Sequence, residues 1–173
     1  MGHRHLGTFS LATIVAFSMS TGISAATPMP ITGDLESLGT GQSSAPVSAN
    51  LIAEVHWAER DDSGSFLSVT WSIENIGNGQ EGLAWLRDGA YLYDGQGFSG
   101  VSTVDPGEGT RYHPVMDGTG SCLCSGERNN EFIAALNPGE QVAYWSLFSV
   151  PADLDSVTVE IPNFDPIEDV PIS

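Results

Sequence analysis

Lysine is absent from the 173 residues, and the five basic side chains, all arginine, face 22 aspartates and glutamates. A net charge of −17 with neutral histidines repels phosphate backbones and anionic headgroups, which disfavours nucleic-acid and membrane-surface partners. Cysteine is nearly absent too, with only Cys122 and Cys124 present. Two thiols supply neither a disulfide scaffold nor the four ligands of a structural zinc site. Apolar runs are short, and after Ile23 none is long enough to span a bilayer. No dozen-residue window carries a helical stripe.

The chain does begin with an ordered pattern. Met1-Gly2-His3-Arg4-His5 is basic, Leu6 to Ile23 is apolar and hydroxylic without charge, and Ser24-Ala25-Ala26 are small. This is the layout of a cleaved secretory signal peptide, with cleavage expected after Ala25 or Ala26. No cysteine lies near the junction, so a lipoprotein anchor is excluded. Removal of residues 1–26 leaves 173 − 26 = 147 residues, enough for one domain, and a charge of 4 − 22 = −18 once Arg4 is gone. The expected product is secreted, soluble and monomeric. Residues 27–49 are rich in Pro, Gly and Ser without any period and read as a flexible leader.

From residue 50 to 173 the pattern is that of a β-domain. Leu51, Ala53, Val55 and Trp57 alternate with Ile52, Glu54, His56 and Ala58, which makes His56 a rim or surface residue. Leu67, Val69, Trp71 and Ile73 alternate with Ser68, Thr70, Ser72 and Glu74, and the Arg60–Ser65 turn joins the two strands as a hairpin. Further strands are expected at Leu83–Arg87, Ala90–Tyr93, Arg111–Met116, Glu131–Leu136, Gln141–Ser149 and Ser156–Ile161, separated by Asp-Gly and Pro-Gly turns. Pro162, Pro166 and Pro171 restrict the tail to a sheet edge. Many short strands without helices predict an all-β, immunoglobulin-like antiparallel β-sandwich. Trp57, Trp71, Trp85 and Trp145 are expected in its core.

Chemistry-bearing patterns are few. Ser121-Cys122-Leu123-Cys124-Ser125 holds both thiols. In an oxidising exterior their default is a Cys122–Cys124 disulfide, although closing so short a loop yields only about 1.6 kcal/mol. The alternative is a metal- or redox-handling loop, in which His113 and Met116 would join Cys122 and Cys124, with His56 or Asp117 as further donors. Gly95-Gln96-Gly97-Phe98-Ser99-Gly100 matches G-x-G-x-x-G, but no helix is expected after it to hold a pyrophosphate, so it reads as a flexible loop. No G-x-S-x-G nucleophile elbow occurs, and carboxylate pairs suited to glycoside hydrolysis arise by chance among 22 acids. Asp61-Asp62-Ser63-Gly64 and Asp117-Gly118-Thr119-Gly120 are acidic turns of a type that ligates calcium, outside EF-hand spacing.

Val69-Thr70-Trp71-Ser72-Ile73-Glu74-Asn75 resembles the early strands of small secreted bacterial immunoglobulin-like (telokin-like) domains. Arg111-Tyr112-His113-Pro114-Val115-Met116-Asp117, Cys122-Leu123-Cys124-Ser125, Leu136-Asn137-Pro138-Gly139-Glu140, Val157–Pro162 and the closing Asp169-Val170-Pro171-Ile172 resemble a group of exported actinobacterial proteins, some of them fused to an OmpA-like domain. The resemblance covers residues 51–173 and implies a sandwich, extracellular placement and no known catalysis. It carries no functional residues across, and the OmpA-like portion is missing here. The reading that follows is a non-enzymatic binding or display module at the cell exterior. It has no cofactor, and its partner is an extracellular protein or cell-surface ligand. The metal- or redox-handling loop is the alternative.

Overall fold

The alternation over residues 51–75 produces the two longest strands of the protein, and the rest of the fold is laid against them. A computed structural model describes residues 35–87, 92–95, 97–126 and 131–173; residues 1–34, with the expected signal peptide, lie outside the described residues. In chain order the strands are β1 Gly39–Gln42, β2 Leu51–Arg60, β3 Leu67–Asn75, β4 Glu81–Gly82, β5 Ser102–Val104, β6 Arg111–Tyr112, β7 Ala135–Leu136, β8 Gln141–Phe148, β9 Ser156–Glu160 and β10 Ile167–Pro171. Among the described residues there is no α-helix.

The protein is an antiparallel β-sandwich. One sheet has the order β1-β2-β3-β8, the other β10-β9-β5-β6, and β4 pairs with β7 in a small third ribbon. The inner face of β3 (Leu67, Val69, Trp71 and Ile73) is fully buried, as its alternation predicts. It meets Tyr144 and Phe148 of β8, Val157 and Val159 of β9, and Ile167 and Val170 of β10 in one continuous core. Trp71 sits at the centre, its ring 5.0 Å from Tyr144 and 5.9 Å from Phe98. Its indole N–H donates to Ser146 Oγ at 3.2 Å, so the one polar atom of the ring is not stranded in the apolar interior.

The β2–β3 hairpin contains a departure from simple alternation. Val55 pairs with Trp71 and Trp57 with Thr70, so an extra residue is inserted in β2 at His56. A bulge of this kind moves every later side chain to the opposite face. Ala58 is therefore buried and Trp57 is 46% exposed, the reverse of the expected core tryptophan. His56, expected on the surface, is only 2% exposed. Its Nε2 lies 2.8 Å from Ser72 Oγ and its Nδ1 3.2 Å from the Glu36 carbonyl oxygen. A carbonyl can only accept, so Nδ1 carries the proton and Nε2 accepts from Ser72. Gln141 Nε2 donates to Ser72 Oγ and to Glu54 Oε2, each at 2.9 Å, which completes a satisfied polar chain across three strands.

Other segments correct the sequence reading. Part of the expected flexible leader forms β1 and a short 3-10 turn at Pro46–Ser48. Its glycines serve close packing: a Cβ on Gly39 would lie 2.6 Å from Ile167 Cγ2, and one on Gly41 2.6 Å from the Asp165 carbonyl oxygen. The expected strand Leu83–Arg87 is a 3-10 turn at Ala84–Arg87, buried through Leu86. Arg111–Met116 and Glu131–Leu136 shrink to the two-residue strands β6 and β7. Half of the expected strand Ala90–Tyr93 lies outside the described residues, and Leu92 and Tyr93 are not in a strand. The prolines of the tail do confine it to an edge, where β10 borders β9.

The register shift has a measurable consequence. Trp71→Ala is expected to cost about 3–5 kcal/mol in chemical denaturation, the range for truncating a buried aromatic. Trp57→Ala should cost less than half as much as Trp71→Ala. Equal losses would show that β2 runs without the bulge and that both rings are core.

Candidate functional site

Three acidic turns shape the loops, and in each the carboxylate accepts hydrogen bonds from its own main chain. Asp117 Oδ1 accepts from Thr119 N (2.8 Å), Thr119 Oγ1 (2.7 Å) and Ser121 N (3.0 Å). Asp61 Oδ1 accepts from Ser65 N (3.0 Å) and Phe66 N (2.9 Å), while Ser63 Oγ donates to Asp61 Oδ2 at 2.6 Å. Asp105 Oδ1 accepts from Gly107 N at 2.7 Å. Asn, Asp and Ser favour turns for this reason, since a short side chain can satisfy main-chain donors that no strand reaches. The two turns considered for calcium are thus built as turns. Among the described residues, no group of three or more His, Cys, Asp or Glu side chains is placed to hold a metal ion.

After the Asp117 turn the chain runs back in extended form. Met116 bridges Cys122, and Cys124 bridges Ser146 of β8. Leu147 N donates to Leu123 O (3.0 Å), and Ser125 N donates to Trp145 O (2.8 Å). The cysteine segment is thereby an irregular edge strand on β8. Residues two apart in an extended segment share a face, and the sulfurs of Cys122 and Cys124 stand at bonding distance, their Cα atoms 5.4 Å apart. Gly97 closes over the pair. It bridges Gly126, and a Cβ there would overlap Cys122 Sγ and lie 3.0 Å from Cys124 Sγ. Phe98 then enters the core, fully buried, with its ring 4.6 Å from Tyr144. Within the G-x-G-x-x-G stretch, Gly97 and Phe98 therefore form a plug seated by a glycine contact, in place of the flexible loop the composition suggested.

These elements enclose a cleft of about 420 Å³. Asp94, Asp117, Thr119, Cys122, Cys124 and Trp145 are among its lining residues. Asp94 is held by its main chain, whose N–H donates to Gly120 O at 2.7 Å, and its carboxylate rests on Gly120, which takes φ +87°. Trp145 faces away from the core and donates its indole N–H to Glu131 Oε2 at 3.1 Å. His113 and Met116 are both exposed, and neither lines the cleft. The structure thus gathers the two cysteines with Asp117 and leaves the other three candidate ligands, His113, Met116 and His56, outside. Beneath the cleft, burial raises the Tyr144 phenol well above the ordinary tyrosine range.

A second, shallower groove of about 250 Å³ lies at the far side of the same sheet. Glu36, Leu38, His56, Trp57 and the C-terminal residues Pro171 to Ser173 line it. Sequence reasoning missed both depressions. Trp145 and Trp57 were expected inside, and the only signal against this was polar company: Thr70 and Ser68 lie on the same face of the sheet.

Two outcomes follow from the turn and the glycine contact. Hydrogen bonds from Ser63 and Phe66 hold the Asp61 carboxyl below its usual range. A lowered folded-state value stabilises the protein above the unfolded value, and that stability is lost as pH falls through the folded value. Asp61→Asn should therefore lower stability at neutral pH and flatten the loss between pH 5 and the acid limit in pH-resolved denaturation. Gly97→Ala should cost about 1–3 kcal/mol through overpacking against the sulfurs. If its melting temperature equals that of the parent, the close contact is wrong.

Comparison of the chain with protein-family models, with curated proteins and with solved structures gave no match.

Proposed function

We propose that this protein is exported and acts as a non-enzymatic binding module at the cell exterior, with its ligand seated in the cleft between the Asp94–Gly126 loops and β8. The observation that carries the reading is that cleft: about 420 Å³, fixed by turn hydrogen bonds and the cysteine pair, with Trp145 as its one large aromatic wall. Ligand sites are concave, largely preformed and supplied with a few placed polar groups. The signal-peptide pattern of residues 1–26 supports the exterior address.

The sandwich itself we read as immunoglobulin-type. The order β2-β3-β8 corresponds to strands A-B-E, and β10-β9-β5-β6 to G-F-C-C′. The cysteine segment lies between β6 and β8 in the chain and pairs with β8 at Ser146, which is the place of strand D. In this reading β1 is an addition before strand A. The cleft then sits beside the D–E edge, where loop changes leave the core untouched.

Expression of the complete chain in a secreting bacterial host tests both parts. The product recovered outside the cells should have an intact mass lacking residues 1–25 or 1–26. Labelled and returned to its own cells, it should be retained on their surface. Retention should fall severalfold in Asp94→Ala and in Trp145→Ala variants that keep the parent's far-ultraviolet dichroism. Product confined to the cytoplasm, or retention unchanged by both substitutions, would overturn the reading.

A further inference from the structure

The outer face of the larger sheet carries a feature that the cleft alone does not explain. Trp57 pairs directly with Thr70, and Thr70 pairs directly with Trp145. Directly paired residues of antiparallel strands project from the same side. Two tryptophans therefore stand on one flat face, two strands apart, with a threonine hydroxyl between them. Neighbouring strands lie about 4.8 Å apart, which separates the two Cα atoms by roughly 10 Å. Trp57 is 46% exposed, the price of the His56 bulge, and it borders the second groove as Trp145 borders the first. An exposed tryptophan on a sheet face forfeits one of the largest apolar contributions a side chain can make. Trp57, with the half-buried Trp145 beside it in the same register row, gives the face an aromatic strip that a ligand can cover.

The surroundings indicate its chemistry. The next row holds Glu59, Ser68 and Leu147, and the row on the other side holds Glu54, the buried Ser72 and the small Ala143. Glu59, Ser68 and Glu54 supply acceptors and a hydroxyl to the face. None of the described arginines faces them: Arg60 donates to the Pro151 and Leu154 carbonyls, Arg87 stacks on Phe132, and Arg111 pairs with Glu160 in the opposite sheet. A face whose described residues offer carboxylates and no arginine accepts hydrogen bonds from hydroxyl or ammonium groups, and the chain's net charge of −17 repels phosphate- or uronate-bearing chains. Flat indole faces carry negative charge density that attracts the polarised C–H groups on the face of a sugar ring. In a β-1,4-linked glycan, alternate sugars present the same face, and this repeat of one disaccharide is of the same size as the Trp57–Trp145 spacing.

We propose that the row Trp57–Thr70–Trp145 on the outer face of the larger sheet is a platform for a β-linked glycan that carries no negative charge. The two indoles stack on sugars one disaccharide apart, and Glu54, Glu59 and the Ser68 and Thr70 hydroxyls bond the sugar hydroxyls or amines. The proposal rests on the binding role assigned to the cleft and extends it, because Trp145 belongs to both surfaces.

The test uses the exported full-length product in affinity electrophoresis and calorimetry. The probes are β-1,4-gluco-oligosaccharides, chitosan oligosaccharides, polygalacturonate and oligo-arginine. Binding to one of the first two probes is expected, with none to polygalacturonate. Trp57→Ala and Trp145→Ala should each weaken binding roughly tenfold or more, and the double variant should abolish it. Trp57→Phe, which keeps a stacking ring, should recover part of the loss. Absence of binding to both uncharged and amine-bearing glycans overturns the proposal, as does binding that persists in the double variant. Binding of oligo-arginine alone, lost in Trp145→Ala, also overturns it while leaving the cleft a binding site. A concentration-dependent dimer that dissociates in Trp57→Ala overturns it in favour of a second copy. If surface retention of the parent fails as well, the binding role falls with the glycan.

Discussion

β3 is paired along both edges and buried along its inner face, and the rest of the protein is arranged to satisfy it. Its four inner side chains are fully buried, and its eight-residue pairing with β8 runs without interruption. The pairing with β2 cannot do the same, because β2 must also carry His56. The ring is held between Ser72 and the Glu36 carbonyl, and burying it unpaired would leave polar atoms unsatisfied at about 1–3 kcal/mol. The bulge resolves the conflict by giving β2 one extra residue. Everything past it changes sides, and that exchange is what turns Trp57 toward solvent.

An acid-rich chain with so few cations cannot rely on ion pairs, and this one spends its carboxylates on main-chain donors. Asp61, Asp105 and Asp117 each cap the turn they begin, and Glu140 accepts from the Asn137 main chain and side chain. The Glu140 carboxyl, like that of Asp61, is held below the usual range by these hydrogen bonds. Such contacts are local and need no partner of opposite sign. They let the loops around the cleft hold a shape although the described residues supply only three arginines, each engaged away from it.

The hairpin of β2 and β3, β8, β9 and the edge position of the tail were legible because strict alternation or proline chemistry marks them. The bulge was not. Trp57 and Ala58 are both apolar, so a slip of one residue leaves the pattern equally plausible on paper. β1 was hidden for a different reason: Gly39 and Gly41 read as linker, yet they are small because β10 and Asp165 press against them. Phe98 was obscured by the glycines around it, whose absent side chains make room for sulfur. The candidate site was half legible. Cys122, Cys124 and Asp117 do converge, while Trp145 and Asp94 enter through pairings of distant segments that spacing alone does not encode.

The larger sheet also constrains how anything can bind it. On the β8 side, Leu123 and Val115 occupy the Leu147 main chain, and Ser125 occupies that of Trp145. On the opposite side, Ser44 N donates to Asn163 O and Asp165 N to Gln42 O, which covers β1. Where β2 extends past β1, Arg60 N donates to Ser173 O and Ser173 N to Ala58 O. Irregular segments and a chain end cover both sides, which blunts sheet-to-sheet association. A peptide that recognises proteins by adding a strand needs a row of free main-chain groups. At these positions the donors and acceptors are already taken, so strand addition is closed there and the binding we propose uses the outer face. There the side chains decide, and the two largest are Trp57 and Trp145.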